Sequence, residues 1–232
     1  MKKSIPIFIG YDHRERVATN ILIDSLYQKS SHPISITPIV TKQLEVNGLH
    51  SRKRESKQST SFSFTRFLVP YLMGYQGWAI FMDCDVLCRS DINKLWQLKN
   101  EKYAVMCVHH NHLPKEEKKF LGEIQSSYPK KNWSSVMLMN CSLCKALTID
   151  YVNTASGIDL HRFHWLDSDE LVGEIDESWN YLVGVQSKKK SEQANLIHWT
   201  LGGPWFSDQR NFADPLTKEW FNAREDANKL WD

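Results

Sequence analysis

Two aspartates one residue apart, Asp83-Cys84-Asp85, follow directly on the apolar run Trp78-Ala-Ile-Phe-Met82. In extended chain, residues two apart point to the same side and lie about 6–7 Å apart. Both carboxylates can therefore hold one hard divalent cation, directly or through water, while phosphate oxygens fill its other positions. An Asp-x-Asp pair can equally end a strand or cap a helix. Its place after an apolar strand favours a ligand role, because ligands of open α/β sheets gather beyond the carboxyl ends of strands. Far downstream, His198-Trp-Thr-Leu-Gly-Gly-Pro-Trp205 offers an imidazole followed by Gly202 and Gly203. Bare glycine backbone can approach a phosphate closely and donate its N–H groups. Taken alone, His198 reads as a buried hydrogen-bonding group in a turn anchored by Trp199 and Trp205. Taken with Asp83 and Asp85, it reads as a third metal ligand, and imidazole beside two carboxylates suits Mn²⁺ better than Mg²⁺.

The elements that must position these residues are legible from hydrophobic spacing. Ile5-Pro-Ile-Phe-Ile9 predicts a buried strand ending at Gly10-Tyr11-Asp12. Asp12 can cap the helix that Val17, Ile21, Leu22 and Leu26 predict over 13–29, with Glu15 as a capping-box-like partner. Residues 34–40 form a strand candidate weakened by Pro33 and Pro38, and 47–61, charged and rich in Ser, read as a loop. Residues 62–75 resume a helical pattern that Pro70 must kink or interrupt. Strands follow at 78–82, 103–108, 136–140, 182–186 and 196–199, with helices at 91–98, 115–126, 142–156 and 215–231. The alternation predicts α/β architecture with a mostly parallel central sheet flanked by helices.

Composition narrows the function classes. The chain has 232 residues, of which 41% are hydrophobic, enough for a sizeable core. A net charge of +2 is too balanced for a general nucleic-acid binder. No stretch reads as a signal-peptide core or membrane span, so a cytoplasmic protein is expected, with peripheral membrane contact compatible. Five cysteines argue for reduced thiols. Cys84/Cys88 and Cys141/Cys144, with His109, His110 and His112 in reserve, lack the matched spacing of a zinc site, and Cys84 should face away from its two aspartate neighbours.

The order of these pieces runs apolar strand, Gly-Tyr-Asp, helix, Phe64-Thr-Arg-Phe67, Ile80-Phe-Met-Asp-Cys-Asp85, and late His-x-x-x-Gly-Gly-Pro-Trp. It resembles the GT-A (Rossmann-like) glycosyltransferases, and among them the family eight enzymes, which include glycogenin and bacterial lipooligosaccharide galactosyltransferases. The resemblance spans residues 5–206. It implies a GT-A domain over 1–206, with 207–232 a helical tail packed on the same domain.

It further implies a nucleotide-sugar donor, UDP-linked in preference to GDP-linked, and a glycan or lipid-linked acceptor in surface polysaccharide, lipooligosaccharide or glycoprotein glycan synthesis. By the same resemblance Asp83, Asp85 and His198 hold Mn²⁺ (or Mg²⁺) against the donor diphosphate. Arg66 helps hold the nucleotide-sugar, and Gly10, Tyr11 and Asp12 contact the base. Asn132, Ser134 and Ser135 meet sugar hydroxyls, with Trp133 either stacked on a sugar or part of the core. Gly202 and Gly203 lie at the phosphates. The family's lysine before Pro-Trp is replaced here by Gly203, which leaves metal, Arg66, backbone amides or a mobile basic loop (Arg52, Lys53, Arg54, Lys57) to neutralise phosphate; that loop can also simply be solvated. Asp167 or Asp169, with Asp169 preferred, is the general base if the enzyme inverts, and positions substrate if it retains; either can instead cap a helix at Glu170. Trp179-Asn180 can complete the acceptor wall.

Two other readings remain open on sequence. Nucleotidyl transfer to a sugar phosphate lacks its Gly-rich basic loop after the first strand. A non-catalytic carbohydrate-binding domain could keep the fold without the chemistry.

Overall fold

A computed structural model describes residues 4–54, 58–111 and 130–229. Its strands are β1 (Ile5–Tyr11), β2 (Ile34–Val40), β3 (Trp78–Met82), β4 (Val86–Cys88), β5 (Val105–Cys107), β6 (Val136–Asn140), β7 (Val172–Glu174), β8 (Tyr181–Leu182) and β9 (Leu196–His198). Six of them make the central sheet in the order β2-β1-β3-β6-β5-β7. All but β6 run in one direction: β1 is parallel to β2 and β3, β6 is antiparallel to β3 and β5, and β5 is parallel to β7. The mostly parallel α/β sheet expected from the alternation is therefore present. Every residue of β3 and β6 is buried, as their unbroken apolar runs require of strands covered on both faces.

A smaller sheet, β4-β9-β8, stands beside it. Its antiparallel pair places Val86 opposite His198. A three-residue strand immediately after the aspartate pair is too short to leave a periodic signal, and sequence reasoning missed it. The same holds for β7.

The long helix of the N-terminal half, α1 (Arg16–Lys29), follows a single 3-10 turn, and Asp12 caps that turn by accepting from the Arg14 N–H. A short α2 (Thr41–Val46) closes β2 before the charged stretch. Pro70 does not kink a long helix. It sits in the first turn of α3 (Val69–Leu72), where its missing N–H costs nothing, after a 3-10 turn at Thr65–Leu68. After α4 (Ile92–Trp96) and β6, the helix expected over 142–156 shrinks to α5 (Ile149–Thr154), capped by Thr148. A second short helix, α6 (Gly157–His161), is capped by Ser156. Each cap hydroxyl accepts from an orphan N–H and so starts a new helix instead of continuing the last. The strand expected over 182–186 stops at Leu182, because Gln186 turns back to accept the Leu182 N–H with Oε1 at 2.7 Å. The expected helix over 115–126 lies outside the described residues.

The final helix, α7 (Pro215–Ala227), buries Leu216 and Trp220 in a satellite cluster with Ile21, Leu87, Tyr181, Ile197 and Trp199. The main cluster surrounds the large sheet.

Candidate active site

Topology brings the chemistry to one edge. Strands β1, β3, β5 and β7 share a direction, so their carboxyl ends lie together. Because β6 runs the other way, its entry turn, Asn132–Ser135, lies at that same edge. The register pairs Met82 with Val136, and the Asp83 N–H donates to the Ser135 carbonyl at 2.9 Å. On the far side, the Trp199 N–H donates to the Asp85 carbonyl at 3.0 Å. The β4–β9 ladder thus delivers His198 to the aspartate pair.

The result is a compact ligand set. One atom each from Asp83, Asp85 and His198 lie within 4.8 Å of one another, and His198 Nε2 is 3.3 Å from Asp85 Oδ1. Among the described residues this is the group of three His, Cys or acidic side chains that could hold a metal. Atoms bound to one cation at about 2.1 Å lie about 3 Å apart when adjacent and about 4.2 Å apart when opposite, so the separations fit a single ion with modest adjustment. All three side chains are nearly buried, and His198 is 1% exposed.

Arg66 is built into the same cluster. Its Nη1 lies 2.8 Å from Asp83 Oδ1 and donates to the Ser134 carbonyl at 2.8 Å. Its guanidinium carbon sits 5.2 Å and 5.1 Å from the ring centroids of Phe62 and Phe81. Such a buried planar cation, flanked by aromatic rings, is held in one direction. Gly10 belongs to this packing too: a Cβ there would stand 2.2 Å from the Phe62 ring, so only glycine fits.

Other expected site residues are occupied differently. Asp12 is fully buried, and its two oxygens accept from the Arg14 main-chain and guanidinium N–H groups and from the Ser61 N–H and hydroxyl. Burial pushes its acidity down in strength, but Arg14 and the Ser61 N–H outweigh it and hold the carboxyl well below the usual range. Its acceptor capacity is filled from within the chain, while Tyr11 beside it remains half-buried. The Ser135 hydroxyl donates to the Asn132 carbonyl at 2.6 Å, Ser134 Oγ pairs with His161 Nδ1 at 2.8 Å, and Asn132 Oδ1 accepts from Thr200 at 3.3 Å.

The Gly202 N–H donates to the Trp199 carbonyl at 2.8 Å in a turn whose φ of 110° favours glycine. A Cβ on Gly203 would lie 2.1 Å from the Trp205 ring. That ring takes the space a lysine stem at this position would need. In the basic loop, Arg52 is committed: Nη1 donates to the Val152 and Ala155 carbonyls at the end of α5, with the guanidinium 3.8 Å over Phe64. It terminates a helix, while Lys53 and Arg54 beside it are exposed. Lys57 lies outside the described residues.

Asp169 is 76% exposed and ion-paired with Lys130 at 2.5 Å. That hydrogen bond from Lys130 holds its carboxyl below the ordinary value. Asp167 is exposed, and neither acid is part of the metal cluster. Trp133 packs, partly buried, against the main cluster. It stacks on His109 at 3.8 Å with the rings 3° from parallel, and its Nε1 donates to the His110 carbonyl. His109, His110, Glu174, Asp176, Glu177 and Lys190 help line an open cavity of about 770 Å³ at the carboxyl ends of β5 and β7.

Cysteines play no part in the ligand set. All five are free and buried, and burial pushes Cys88 and Cys141 up to about 12 and Cys84 well above its usual value. Sequence reasoning gave Asn180 to an acceptor wall. In the fold it is fully buried, with Oδ1 2.8 Å from His198 Nδ1. No local pattern announces that contact, because it joins residues from different elements.

A family model described as "Glycosyl transferase family 8" matches residues 8–209. "Protein CDI" of Arabidopsis thaliana is 46% identical over 235 residues, covering 98% of this chain and 89% of that protein. Among solved structures, the galactosyltransferase LgtC, in complex with donor and acceptor sugar analogs, superposes with a TM-score of 0.60 at 9% identity, covering 98% of both chains. The apo glycosyltransferase GlyE of Streptococcus pneumoniae TIGR4 gives 0.60 at 14% identity, covering 99% of this chain and 61% of that one. At these identities the solved structures speak for the shared GT-A fold. The family match, spanning most of the chain, speaks for more: this protein belongs to glycosyl transferase family 8 and is a glycosyltransferase.

Proposed function

We propose that the chain transfers a sugar from a nucleoside-diphosphate sugar, UDP-linked in preference to GDP-linked, to an acceptor hydroxyl, using Mn²⁺ held by Asp83, Asp85 and His198. The observation that carries the reading is the convergence of these two carboxylates and one imidazole, with ligand atoms within 4.8 Å, at the strand ends of a family 8 fold. The mixed oxygen and nitrogen set favours Mn²⁺ over Mg²⁺. When bound, the cation supplies Lewis-acid neutralisation of the departing nucleoside diphosphate.

The chain's own groups do the rest. Arg66 fixes Asp83 and adds a positive charge beside it. With Asp12 filled by internal donors, base recognition falls to Gly10 and Tyr11 at the end of β1. Gly203 leaves room for the Trp205 ring, which a Cβ there would meet at 2.1 Å. The open cavity at the ends of β5 and β7 supplies room for an acceptor sugar at the same sheet edge.

Asp169 is held by Lys130 and stands outside the Asp83–Asp85–His198 cluster, which favours a front-face transfer that needs no strong base, with retention of anomeric configuration. Proton NMR of the product from an α-linked donor checks this: an α linkage is expected, and a β linkage would exclude it.

The defining assay is nucleoside diphosphate release from a panel of UDP- and GDP-sugars with Mn²⁺ or with EDTA. Release that needs the metal and prefers a UDP donor is expected. Release indifferent to chelator, or pyrophosphate release from nucleoside triphosphates instead, would overturn the reading.

A further inference from the structure

Asn180 ends the 3-10 turn Glu177–Asn180 with no exposed surface. Its Nδ2 lies 2.9 Å from Ser135 Oγ and 3.4 Å from the Asn132 carbonyl, and its Oδ1 faces His198 Nδ1 at 2.8 Å. Amide orientation is decided by neighbours, since oxygen and nitrogen are alike in shape. Here the neighbours decide it twice. A main-chain carbonyl can only accept, and the Ser135 hydroxyl spends its one hydrogen on that same carbonyl at 2.6 Å. Both groups on that side require a donor, which places the NH₂ there and turns the oxygen toward His198.

An acceptor opposite Nδ1 requires Nδ1–H. In the neutral ring the lone pair then resides on Nε2, the atom 3.3 Å from Asp85 Oδ1. This is the reverse of the tautomer that predominates for histidine free in water.

We propose that Asn180 is a positioning residue that fixes the tautomer and direction of the His198 ring, and that the Asn132–Ser135 turn is the common scaffold of two of the three proposed metal ligands, His198 and Asp83. The turn reaches His198 through Asn180. It reaches Asp83 through the Ser135 carbonyl and, by way of the Ser134 carbonyl, through Arg66. Asn132 itself stands at φ 65°, a left-handed conformation that Asn tolerates better than most residues. Ser135 and the Asn132 main chain therefore serve the ligand set instead of sugar hydroxyls.

The inference rests on the metal reading above for its purpose but not for its geometry, and the tests separate the two. Nitrogen-15 NMR of metal-free protein, at a pH where the ring is neutral, should show His198 as the Nδ1–H tautomer. Electron paramagnetic resonance titration with MnCl₂ should show Asn180→Leu binding about 10–100-fold more weakly than the unmodified chain. Asn180→Asp, whose carboxylate still accepts from Nδ1–H and can take the Ser135 hydroxyl hydrogen, should recover part of that loss. An Nε2–H tautomer in the unmodified protein, or equal Mn²⁺ affinity in a folded Asn180→Leu variant, overturns the proposal. An Nδ1–H tautomer in a protein that binds no Mn²⁺ supports the orienting role of Asn180 and removes the metal assignment alone.

Discussion

At the scale of single residues, Arg66 and Asp12 show how buried charge is kept in this fold. Arg66 lies under two aromatic rings and beside Asp83. Removing it leaves a carboxylate in a nearly closed site, so Arg66→Ala should cost about 3–5 kcal/mol of stability. Added Mn²⁺ should restore part of the melting temperature by neutralising the same carboxylate, and differential scanning fluorimetry with and without MnCl₂ reads both effects. Arg66→Lys should rescue little, because a point charge cannot reproduce the planar fork.

Asp12 makes a pH-dependent contribution of known sign. Its carboxyl titrates below the unfolded value when folded, so the stabilisation is fully present above about pH 4 and is lost as pH falls toward the folded pKa. Asp12→Asn should therefore be less stable than the unmodified chain by about 2–3 kcal/mol at neutral pH. The gap should narrow on acidification, and urea denaturation at pH 7 and near pH 3 measures it. The Asp83, Asp85 and His198 cluster was legible in sequence because residue type carries its chemistry. The occupancy of Asp12, the pinning of Arg52 and the role of Asn180 were not, because each depends on a partner from another element.

At the scale of elements, the apolar runs that became β1, β3 and β6 were legible, since strands buried on both faces leave continuous hydrophobic segments. What escaped were elements set by a single cap or by three residues of pairing. Helices over 62–75 and 142–156 broke up because Pro70, Thr148 and Ser156 each start a fresh turn. The turn that carries Gly202 and Gly203 shows the same local control. A side chain at Gly203 meets Trp205, whose ring also packs 5.3 Å from Trp220. Gly203→Lys, which would restore the residue usual in the family, should lower stability by about 1–3 kcal/mol through overpacking. It should raise neither donor affinity nor turnover. Pairing it with Trp205→Ala should relieve the clash, and only that double variant could place a lysine at the phosphates. A stable, more active Gly203→Lys single variant would show that Trp205 yields easily.

For the molecule as a whole, the ligand set is divided between two packing units. Asp83 belongs to the end of β3 in the central sheet, whereas His198 ends β9 in the small sheet, and β4 is the strand joining them. The small sheet rests on α7 through Trp220, Leu216, Leu87 and Ile197. Arg89, just after β4, clamps that helix with Nε 2.6 Å from Glu219 Oε1. The tail helix thus bears on the sheet that carries His198. Trp220→Ala should cost about 3–5 kcal/mol by opening a cavity, which for a chain of this size lowers the melting temperature by roughly 6–20 °C. Hydrogen exchange locates the damage. Amides of β9 should lose protection through a local opening while those of β1 and β3 retain theirs, and Mn²⁺ should slow that opening because the cation ties β9 back to β3. Equal acceleration across both sheets would mean that they unfold as one unit, and that α7 supports the whole core and not the half carrying the imidazole.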